Sequence, residues 1–168
     1  YRGDAGAAIV TDLQGRVLAM ASYPDYDLNI WENGITVRQA KELYSGASGV
    51  PALSRAIQGV FAPASTFKVV SLSAAVEANY SLKASYDCPA TVQFGDREFK
   101  NFDSKPAGKI SMTTAMAISC DSIWYQIAYD EWVRDGGLKP KENPNDYFFK
   151  TAAGFGVGKK TGIDLPSE

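Results

Sequence analysis

The chain has 168 residues, of which 45% are hydrophobic and 21% are charged, and this balance allows one globular unit with its own core. Seventeen basic and 19 acidic residues give a net charge of −2, so the charge favours neither a nucleic-acid partner nor an anionic membrane. The sequence has no histidine, which excludes serine–histidine–aspartate triads, cysteine–histidine pairs and histidine-ligated zinc. A nucleophilic site would need another base, and lysine is the leading candidate.

Two apolar segments near the start of the chain, residues 7–12 and 16–22, are separated by a turn at Gln14-Gly15. This pattern predicts a β-hairpin. Both segments are hydrophobic almost throughout, which is typical of strands buried on both faces of a larger sheet. We therefore expect the strands that should pair with the hairpin to be missing from this chain, and the exposed strand edges to favour self-association.

The rest of the chain alternates helical segments with loops. Capping residues and apolar periodicity predict helices over residues 37–44 after Thr36, 65–79 after Pro63, 112–118 after Ser111, and 122–134. The second of these helices is apolar nearly all round, which places it in the centre of a domain. Residues 86–101 predict a small hairpin or an extended excursion, and residues 136–146 and 154–158 predict loops. No apolar run reaches the roughly 18–20 residues that a membrane span needs.

The two cysteines, Cys88 and Cys120, do not have the spacing of a metal site or of a disulfide-rich scaffold. The first expectation is therefore two unpaired, half-buried thiols. A single bridge between them stays open, because only geometry decides whether two cysteines can pair.

The segment Ser65-Thr66-Phe67-Lys68 is the first candidate for chemistry. Residues three apart on a helix share a face, so the serine hydroxyl and the lysine amine can meet. A serine needs a base beside it to become a nucleophile, and a buried lysine can be that base. Taken alone, the four residues favour a capping serine and a solvated lysine. Their position at the start of an apolar helix, in a chain without histidine, favours the catalytic interpretation.

A second candidate, Ser119-Cys120-Asp121, lies at the break between two predicted helices. Such a turn can direct a hydroxyl and a carboxylate into one cleft. Taken alone, the pattern favours a local role in which Asp121 caps the following helix by accepting from its free N–H groups.

Together these segments resemble class B penicillin-binding proteins. Ser-x-x-Lys, a Ser-Asp-Asn type element and Lys-Thr-Gly form the motif set of that superfamily, and the stretch from Phe61 to Lys68 is similar to its nucleophile segment. Further similar segments occur in the same order along nearly the whole chain: Ala21-Ser22-Tyr23-Pro24, Ser54-Arg55-Ala56, Gly154-Phe155-Gly156 and Thr161-Gly162-Ile163-Asp164-Leu165-Pro166. Asp121 in place of the commoner asparagine resembles the elongation-type members, and Ala64 stands where a glycine is frequent.

Lys160-Thr161-Gly162 matches the third motif letter for letter but has the wrong surroundings. In the family, the catalytic copy lies on a strand that borders the cleft, whereas here a glycine-rich loop precedes it and Ile163-Asp164-Leu165-Pro166 follows. We interpret this segment as a structural loop and expect the catalytic third motif to lie beyond residue 168.

The resemblance implies an α+β chain with the fold that penicillin-binding proteins share with serine β-lactamases, truncated to its helical part plus an N-terminal β-hairpin. Residues 1–168 would be the N-terminal portion of a transpeptidase domain, without the third-motif strand and the rest of the sheet. The parent protein would be membrane-anchored on the extracytoplasmic face of a bacterial cell membrane. Its partners would be peptidoglycan stem peptides, β-lactam antibiotics and wall-synthesis proteins.

The implied reaction is acyl transfer without a metal or an organic cofactor. Ser65 would attack the penultimate D-Ala carbonyl, Lys68 would take the serine proton, Ser119 would relay a proton to the leaving amine, and Asp121 would hold Lys68 and Ser119 in place. This chain alone would be nearly inactive, because loss of an oxyanion donor alone costs about 10²–10³ in rate.

Two alternatives use the same residues. A class D-type β-lactamase or β-lactam sensor domain also contains Ser-x-x-Lys, but we expect Ser-x-Val in place of Ser119-Cys120-Asp121. An inert scaffold homologue in the wall-synthesis complex would be expected to lose Ser65 or Lys68, and both are present.

Overall fold

A computed structural model describes residues 5–32 and 34–165. The chain divides into two compact units, one within residues 1–62 and 162–168 and the other formed by residues 63–161. Helices and short strands are mixed along the chain, so the α+β class is confirmed. The assignment of the whole chain to the N-terminal portion of one transpeptidase domain stays a prediction.

The first unit contains the predicted hairpin. Strand β1 (Gly6–Thr11) pairs antiparallel with β2 (Val17–Tyr23), with a bulge at Val10 and Thr11. The Asp12 carboxylate closes the turn by accepting from the backbone N–H groups of Gln14 and Arg16, each at 2.9 Å. Within the described residues these strands form a sheet of two and most of their residues are exposed, so their burial on both faces of a larger sheet stays a prediction. The expected self-association stays a prediction.

The first unit also contains helix α1 (Val37–Tyr44), which has the predicted bounds. Thr36 is its N-cap, and Gln39 returns a hydrogen bond to the Thr36 backbone to complete a capping box. Short 3₁₀ turns cover Leu28–Trp31 and Gly46–Ser48. The guanidinium of Arg55 is buried and donates to backbone carbonyls, including those of Val50 and Leu53 at 3.3 Å.

The second unit begins with a 3₁₀ turn and is mainly helical. The turn Ala64–Phe67 leads into α2 (Lys68–Glu77), which replaces the single predicted helix over residues 65–79. The remaining helices are α3 (Met112–Ala117), α4 (Ser122–Arg134) and α5 (Tyr147–Gly154). The first two confirm the predictions, with Ser111 as the N-cap of α3, whereas α5 was not predicted.

Short strands cover one side of this helical unit. They are β3 (Tyr86–Cys88), β4 (Thr91–Phe94), β5 (Arg97–Lys100) and β6 (Gly108–Ile110). Strands β4 and β5 form the small hairpin expected within residues 86–101, and β3 pairs antiparallel with β6. Strands β3, β4 and β5 contact α4. The buried core of this unit consists of Ala75, Cys88, Met112, Ala115, Cys120, Ile123, Trp124 and Ile127.

Cys88 and Cys120 form a disulfide across this core, with their Cα atoms 6.5 Å apart. The expectation of two unpaired thiols is therefore wrong. The end of β3 meets the turn between α3 and α4 in the folded unit, although the two cysteines are 32 residues apart in sequence. The bridge therefore links the two ends of the segment between Cys88 and Cys120, and its sulfur atoms lie on the buried side of the Ser119-Cys120-Asp121 turn.

None of the helices in the described ranges is long and apolar enough to cross a membrane.

Candidate active site

Ser65 lies in the 3₁₀ turn that immediately precedes α2. Residues three apart eclipse each other in a 3₁₀ turn, which brings Ser65 and Lys68 to the same side of the chain. The Lys68 backbone N–H donates to the Ser65 carbonyl and continues the turn into the helix. Ser65 is exposed, whereas only 9% of the Lys68 side chain is exposed. The hydroxyl is therefore accessible to a substrate, and the amine beneath it is shielded from water.

The buried ammonium of Lys68 has three partners. Its Nζ donates to the backbone carbonyl of Ser119 at 2.7 Å and to the Ser119 hydroxyl at 2.8 Å. It also forms an ion pair with the Asp121 carboxylate. All three partners therefore come from the second motif, and they account for a buried lysine at the start of a mainly apolar helix. An uncompensated charge at this depth would be strongly destabilising.

The Ser119 hydroxyl connects the lysine to the nucleophile. Ser119 Oγ donates to Ser65 Oγ at 3.1 Å and accepts from Lys68 Nζ. No direct hydrogen bond joins Lys68 Nζ to Ser65 Oγ among the described contacts. The sequence interpretation placed the lysine amine directly beside the serine hydroxyl and had Ser119 relay a proton to the leaving amine; in the structure the Ser119 hydroxyl lies between the other two side chains.

The Asp121 carboxylate faces the site and does not cap α4. One of its oxygens pairs with Lys68, and the other accepts from the backbone N–H of Phe102 at 3.1 Å. Asp121 occupies the N-cap position but makes no capping hydrogen bond with its side chain. The local capping interpretation is therefore wrong. The carboxylate also affects Tyr125 in the same cavity: burial, together with the negative charge of Asp121, raises the pKa of the Tyr125 phenol.

The turn that presents Ser119 is held by residues that the sequence interpretation missed. Ser119 itself has φ +59°, in the left-handed region. The buried side chain of Asn101 accepts from the backbone N–H groups of Asp121 and Ser122 at 2.9 and 3.0 Å. A lone asparagine after a strand has no distinguishing pattern in a single sequence, so no signal could have identified it.

These groups lie in one cavity of about 790 Å³ in the second unit. Its walls include Ser65, Lys68, Ser119 and Asp121 together with aromatic and basic side chains from other elements: Phe102, Trp124, Tyr125, Phe148, Lys100 and Lys105. All four predicted site residues are therefore brought together. Within the described residues, no group of three or more histidine, cysteine, aspartate or glutamate residues could hold a metal ion.

Lys160-Thr161-Gly162 lies in an irregular segment after α5. It has no strand geometry in the described structure, and Lys160 is not part of the wall of this cavity. This agrees with its interpretation as a structural loop.

Comparison with known proteins identifies the family. Residues 6–168 match the model of the penicillin binding protein transpeptidase domain. The chain belongs to this family. The peptidoglycan D,D-transpeptidase MrdA of Escherichia coli K12 is 31% identical over 170 residues, which is 99% of this chain and 25% of that protein. The predicted resemblance to a class B penicillin-binding protein transpeptidase domain is thereby confirmed.

Solved structures of penicillin-binding proteins have the same fold. Penicillin-binding protein PBP2 of Pseudomonas aeruginosa, solved in complex with WCK 5153, matches with a TM-score of 0.70 and 26% identity over 91% of this chain and 32% of that chain. A chain of a peptidoglycan synthase complex that coordinates polymerization and crosslinking matches with a TM-score of 0.73 and 27% identity, covering 98% of this chain and 27% of that one.

This penicillin-binding protein chain spans about a quarter of the length of the curated relatives it matches. Those relatives are D,D-transpeptidases. The comparisons therefore do not favour the two alternatives, which are a β-lactamase or β-lactam sensor domain and an inert scaffold homologue.

Proposed function

We propose that the protein containing this chain is a serine-type D,D-transpeptidase of the elongation type, which cross-links peptidoglycan stem peptides through an acyl-enzyme on Ser65. The observation that carries the proposal is the chain of hydrogen bonds from Lys68 Nζ through Ser119 Oγ to Ser65 Oγ, at 2.8 and 3.1 Å. It gives an accessible hydroxyl a buried amine as its base through a single intervening hydroxyl.

In the first half of the reaction, Ser65 Oγ attacks the carbonyl carbon of the penultimate D-Ala. The neutral amine of Lys68 accepts the proton, with the Ser119 hydroxyl accepting from Ser65 and donating to Lys68 as it passes. The C–N bond then breaks, and the terminal D-Ala leaves as an amine that takes up this proton. An ester between Ser65 and the shortened stem peptide remains.

In the second half, the amine of a neighbouring stem peptide attacks that ester. It loses a proton to the neutral Lys68 amine, a new amide bond forms, and Ser65 Oγ recovers a proton as it leaves. The hydrogen bonds as described, from Lys68 Nζ to Ser119 Oγ and from Ser119 Oγ to Ser65 Oγ, run in the direction that returns a proton to Ser65 Oγ, which is the acid form of the relay. Since hydroxyl hydrogens rotate freely, the same three atoms can also carry the proton in the opposite direction.

Asp121 has a supporting role in this proposal. Its ion pair with Lys68 and its hydrogen bond from the Phe102 N–H fix the lysine beneath Ser119. The carboxylate also compensates the ammonium charge in the acid form, so that the relay does not leave a buried charge without a partner.

The compartment and partners follow from the same assignment. A disulfide persists in oxidising surroundings outside the cytoplasm, and the Cys88–Cys120 bridge supports a position on the extracytoplasmic face of the membrane. We propose that the ligands are stem peptides and β-lactams, which share an acyl centre that Ser65 attacks, and that wall-synthesis proteins are the macromolecular partners.

The decisive experiment is covalent labelling of the full-length protein with a fluorescent penicillin, followed by mass spectrometry of the labelled peptide. We expect a stable adduct on Ser65 and no adduct in Ser65→Ala. Lys68→Met should slow labelling by about 10²–10⁴-fold because it removes the proton acceptor. A wild-type protein that hydrolyses the drug rapidly, or forms no adduct, would contradict the proposal.

Lys160→Met is the matched control, because it makes the same lysine-to-methionine change at a motif-like segment outside the cavity wall. It should label at the wild-type rate. Release of D-Ala from a stem pentapeptide, with formation of a new amide when an acceptor amine is added, then separates transpeptidation from simple acylation. The expectation that the 168-residue chain alone labels far more slowly is tested by the same assay.

A further inference from the structure

The side chain of Asn101 connects three separate parts of the second unit. It follows β5 directly and is buried, with 6% of the residue exposed. Its Nδ2 donates to the carbonyl of Pro89 at 2.8 Å and to the carbonyl of Lys105 at 3.0 Å. Pro89 lies between β3 and β4, and Lys105 lies between β5 and β6, so the amide nitrogen binds both loops at that end of the strands.

The amide oxygen of Asn101 binds the second motif. Oδ1 accepts from the backbone N–H groups of Asp121 and Ser122, at 2.9 and 3.0 Å. An asparagine side chain offers two donors and one acceptor oxygen with two lone pairs, and Asn101 uses all of them. The next residue, Phe102, continues the contact, because its backbone N–H donates to the Asp121 carboxylate at 3.1 Å.

The position of the Asp121 carboxylate therefore depends on a residue that does not touch the reacting atoms. Asp121 pairs with Lys68, and Lys68 binds the Ser119 hydroxyl that reaches Ser65. We propose that Asn101 is a positioning residue for the acylation of Ser65: it holds the Ser119–Asp121 turn at the distance from Lys68 that the relay requires. This inference rests on the function proposed above.

The disulfide joins two of the segments that Asn101 contacts. Cys120 lies between Ser119 and Asp121 and is bonded to Cys88 at the end of β3, next to Pro89. The Ser122 hydroxyl also donates to the Pro89 carbonyl at 2.9 Å. The loop at Pro89 is thus attached covalently and by hydrogen bonds to the turn. Asn101 adds the two hydrogen bonds, from the N–H groups of Asp121 and Ser122, that orient the backbone of the turn.

The test measures the acylation of the full-length protein by a penicillin as a time course. Asn101→Ala should lower the first-order acylation rate constant by about 10–100-fold, since a displacement of about 1 Å in a catalytic group is sufficient for such a loss. The final labelled fraction should stay complete. A purely structural role would give the opposite result, with a reduced labelled fraction and an unchanged rate constant for the molecules that remain folded.

Asp135→Ala is the matched control. The Asp135 carboxylate also accepts from two backbone N–H groups, those of Asn145 and Asp146 at 2.9 and 2.8 Å, in the polar loop after α4. It should lower the melting temperature without changing the acylation rate constant. An equal loss of rate in both variants would overturn the proposal.

Asn101→Asp, in the neutral carboxylic acid form that burial beside the Pro89 and Lys105 carbonyls favours, keeps the acceptor oxygen for Asp121 and Ser122 and one of the two donors, so it covers the case in which Asn101→Ala does not fold. Its rate constant should lie closer to the wild type than that of Asn101→Ala. If Asn101→Asp folds and acylates 100-fold more slowly, the acceptor contacts are not what matters and the proposal is wrong.

Hydrogen exchange separates this inference from the proposed function. Amides 121 and 122 should exchange faster in Asn101→Ala than in the wild type or in Asp135→Ala. Faster exchange with an unchanged acylation rate would refute the positioning role and leave the transpeptidase proposal intact. A wild-type protein without any Ser65 adduct would refute the proposed function and the positioning role with it, and the exchange result would still show whether Asn101 holds the turn.

Discussion

Breaking the Cys88–Cys120 disulfide should remove a large part of the stability of this chain. A cross-link stabilises a fold mainly by restricting the unfolded chain, and the effect increases with the length of the closed loop. The 32-residue separation of the two cysteines corresponds to about 3.7 kcal/mol at 25 °C in the chain-entropy relation. Domains of this size are stable by about 5–15 kcal/mol, so the reduced chain should be at least a quarter less stable.

Two perturbations separate the cross-link from the packing of the sulfur atoms. Reduction of the wild-type chain breaks the bond and keeps both sulfurs, which are almost fully buried in the core. Cys88→Ser/Cys120→Ser breaks the bond and also replaces the sulfurs with hydroxyls. Both should lose the cross-link stabilisation of about 3.7 kcal/mol, and the variant should lose somewhat more because two hydroxyls are buried.

The assay is equilibrium unfolding of the 168-residue chain in urea, followed by tryptophan fluorescence with and without a reductant. Trp124 packs in the same core cluster as both cysteines, so its emission reports on the region concerned. Thiol titration of the denatured, non-reduced chain should detect no free thiol. Two titratable thiols, or identical urea midpoints for the oxidised and reduced chains, would refute the reasoning.

Three further changes test other contacts. Asp121→Asn should lower the free energy of unfolding by an amount toward the low end of about 3–5 kcal/mol, because Lys68 loses its carboxylate partner but keeps two hydrogen bonds to Ser119. In urea unfolding, the double variant Lys68→Met/Asp121→Asn should recover most of this loss. A double variant as unstable as Asp121→Asn would contradict the buried ion pair. Ala64→Gly should stabilise by up to about 1 kcal/mol in thermal unfolding, since Ala64 has φ +48° and left-handed backbone costs other residues about 1–2 kcal/mol, partly offset by the entropy of glycine. Hydrogen bonds from the N–H groups of Asn145 and Asp146 lower the pKa of Asp135. The stability that this carboxylate contributes is therefore complete above the unfolded-state pKa of about 3.9 and is lost as pH falls through the lower folded-state pKa. Unfolding curves of the wild type and Asp135→Asn should differ at pH 7 and converge in acid.

Elements with strong local signals could be predicted from the sequence. The capping residues Thr36 and Ser111 begin α1 and α3 as expected, and α4 has the predicted bounds. Helix α5 was not predicted, although Asp146 is a residue type that commonly begins helices; in the structure Asp146 is in a left-handed conformation and makes no side-chain capping bond.

The chemistry of the site was predictable where it depends on residue type and near spacing. Ser65 and Lys68 are three residues apart, so helical geometry alone brings them to one side. The contacts of Ser119 with Lys68 and Ser65 span 51 and 54 residues, and the disulfide spans 32. Contacts at such separations depend on the packing of whole elements, which a single sequence does not specify.

The backbone of the site explains why its second serine must be held so firmly. Ala64 and Ser119, the residue before the nucleophile and the relay hydroxyl, both have positive φ, at +48° and +59°. Each such residue costs about 1–3 kcal/mol and persists only where its surroundings enforce it. At Ser119 the left-handed conformation directs the carbonyl oxygen and the hydroxyl to the same lysine. A relaxed turn would separate these two acceptors, and Lys68 would lose part of its coordination together with its route to Ser65. The left-handed backbone of Ser119, the disulfide and the Asn101 contacts therefore serve one geometric requirement, which is to keep Ser119 Oγ within hydrogen-bonding distance of both Lys68 Nζ and Ser65 Oγ.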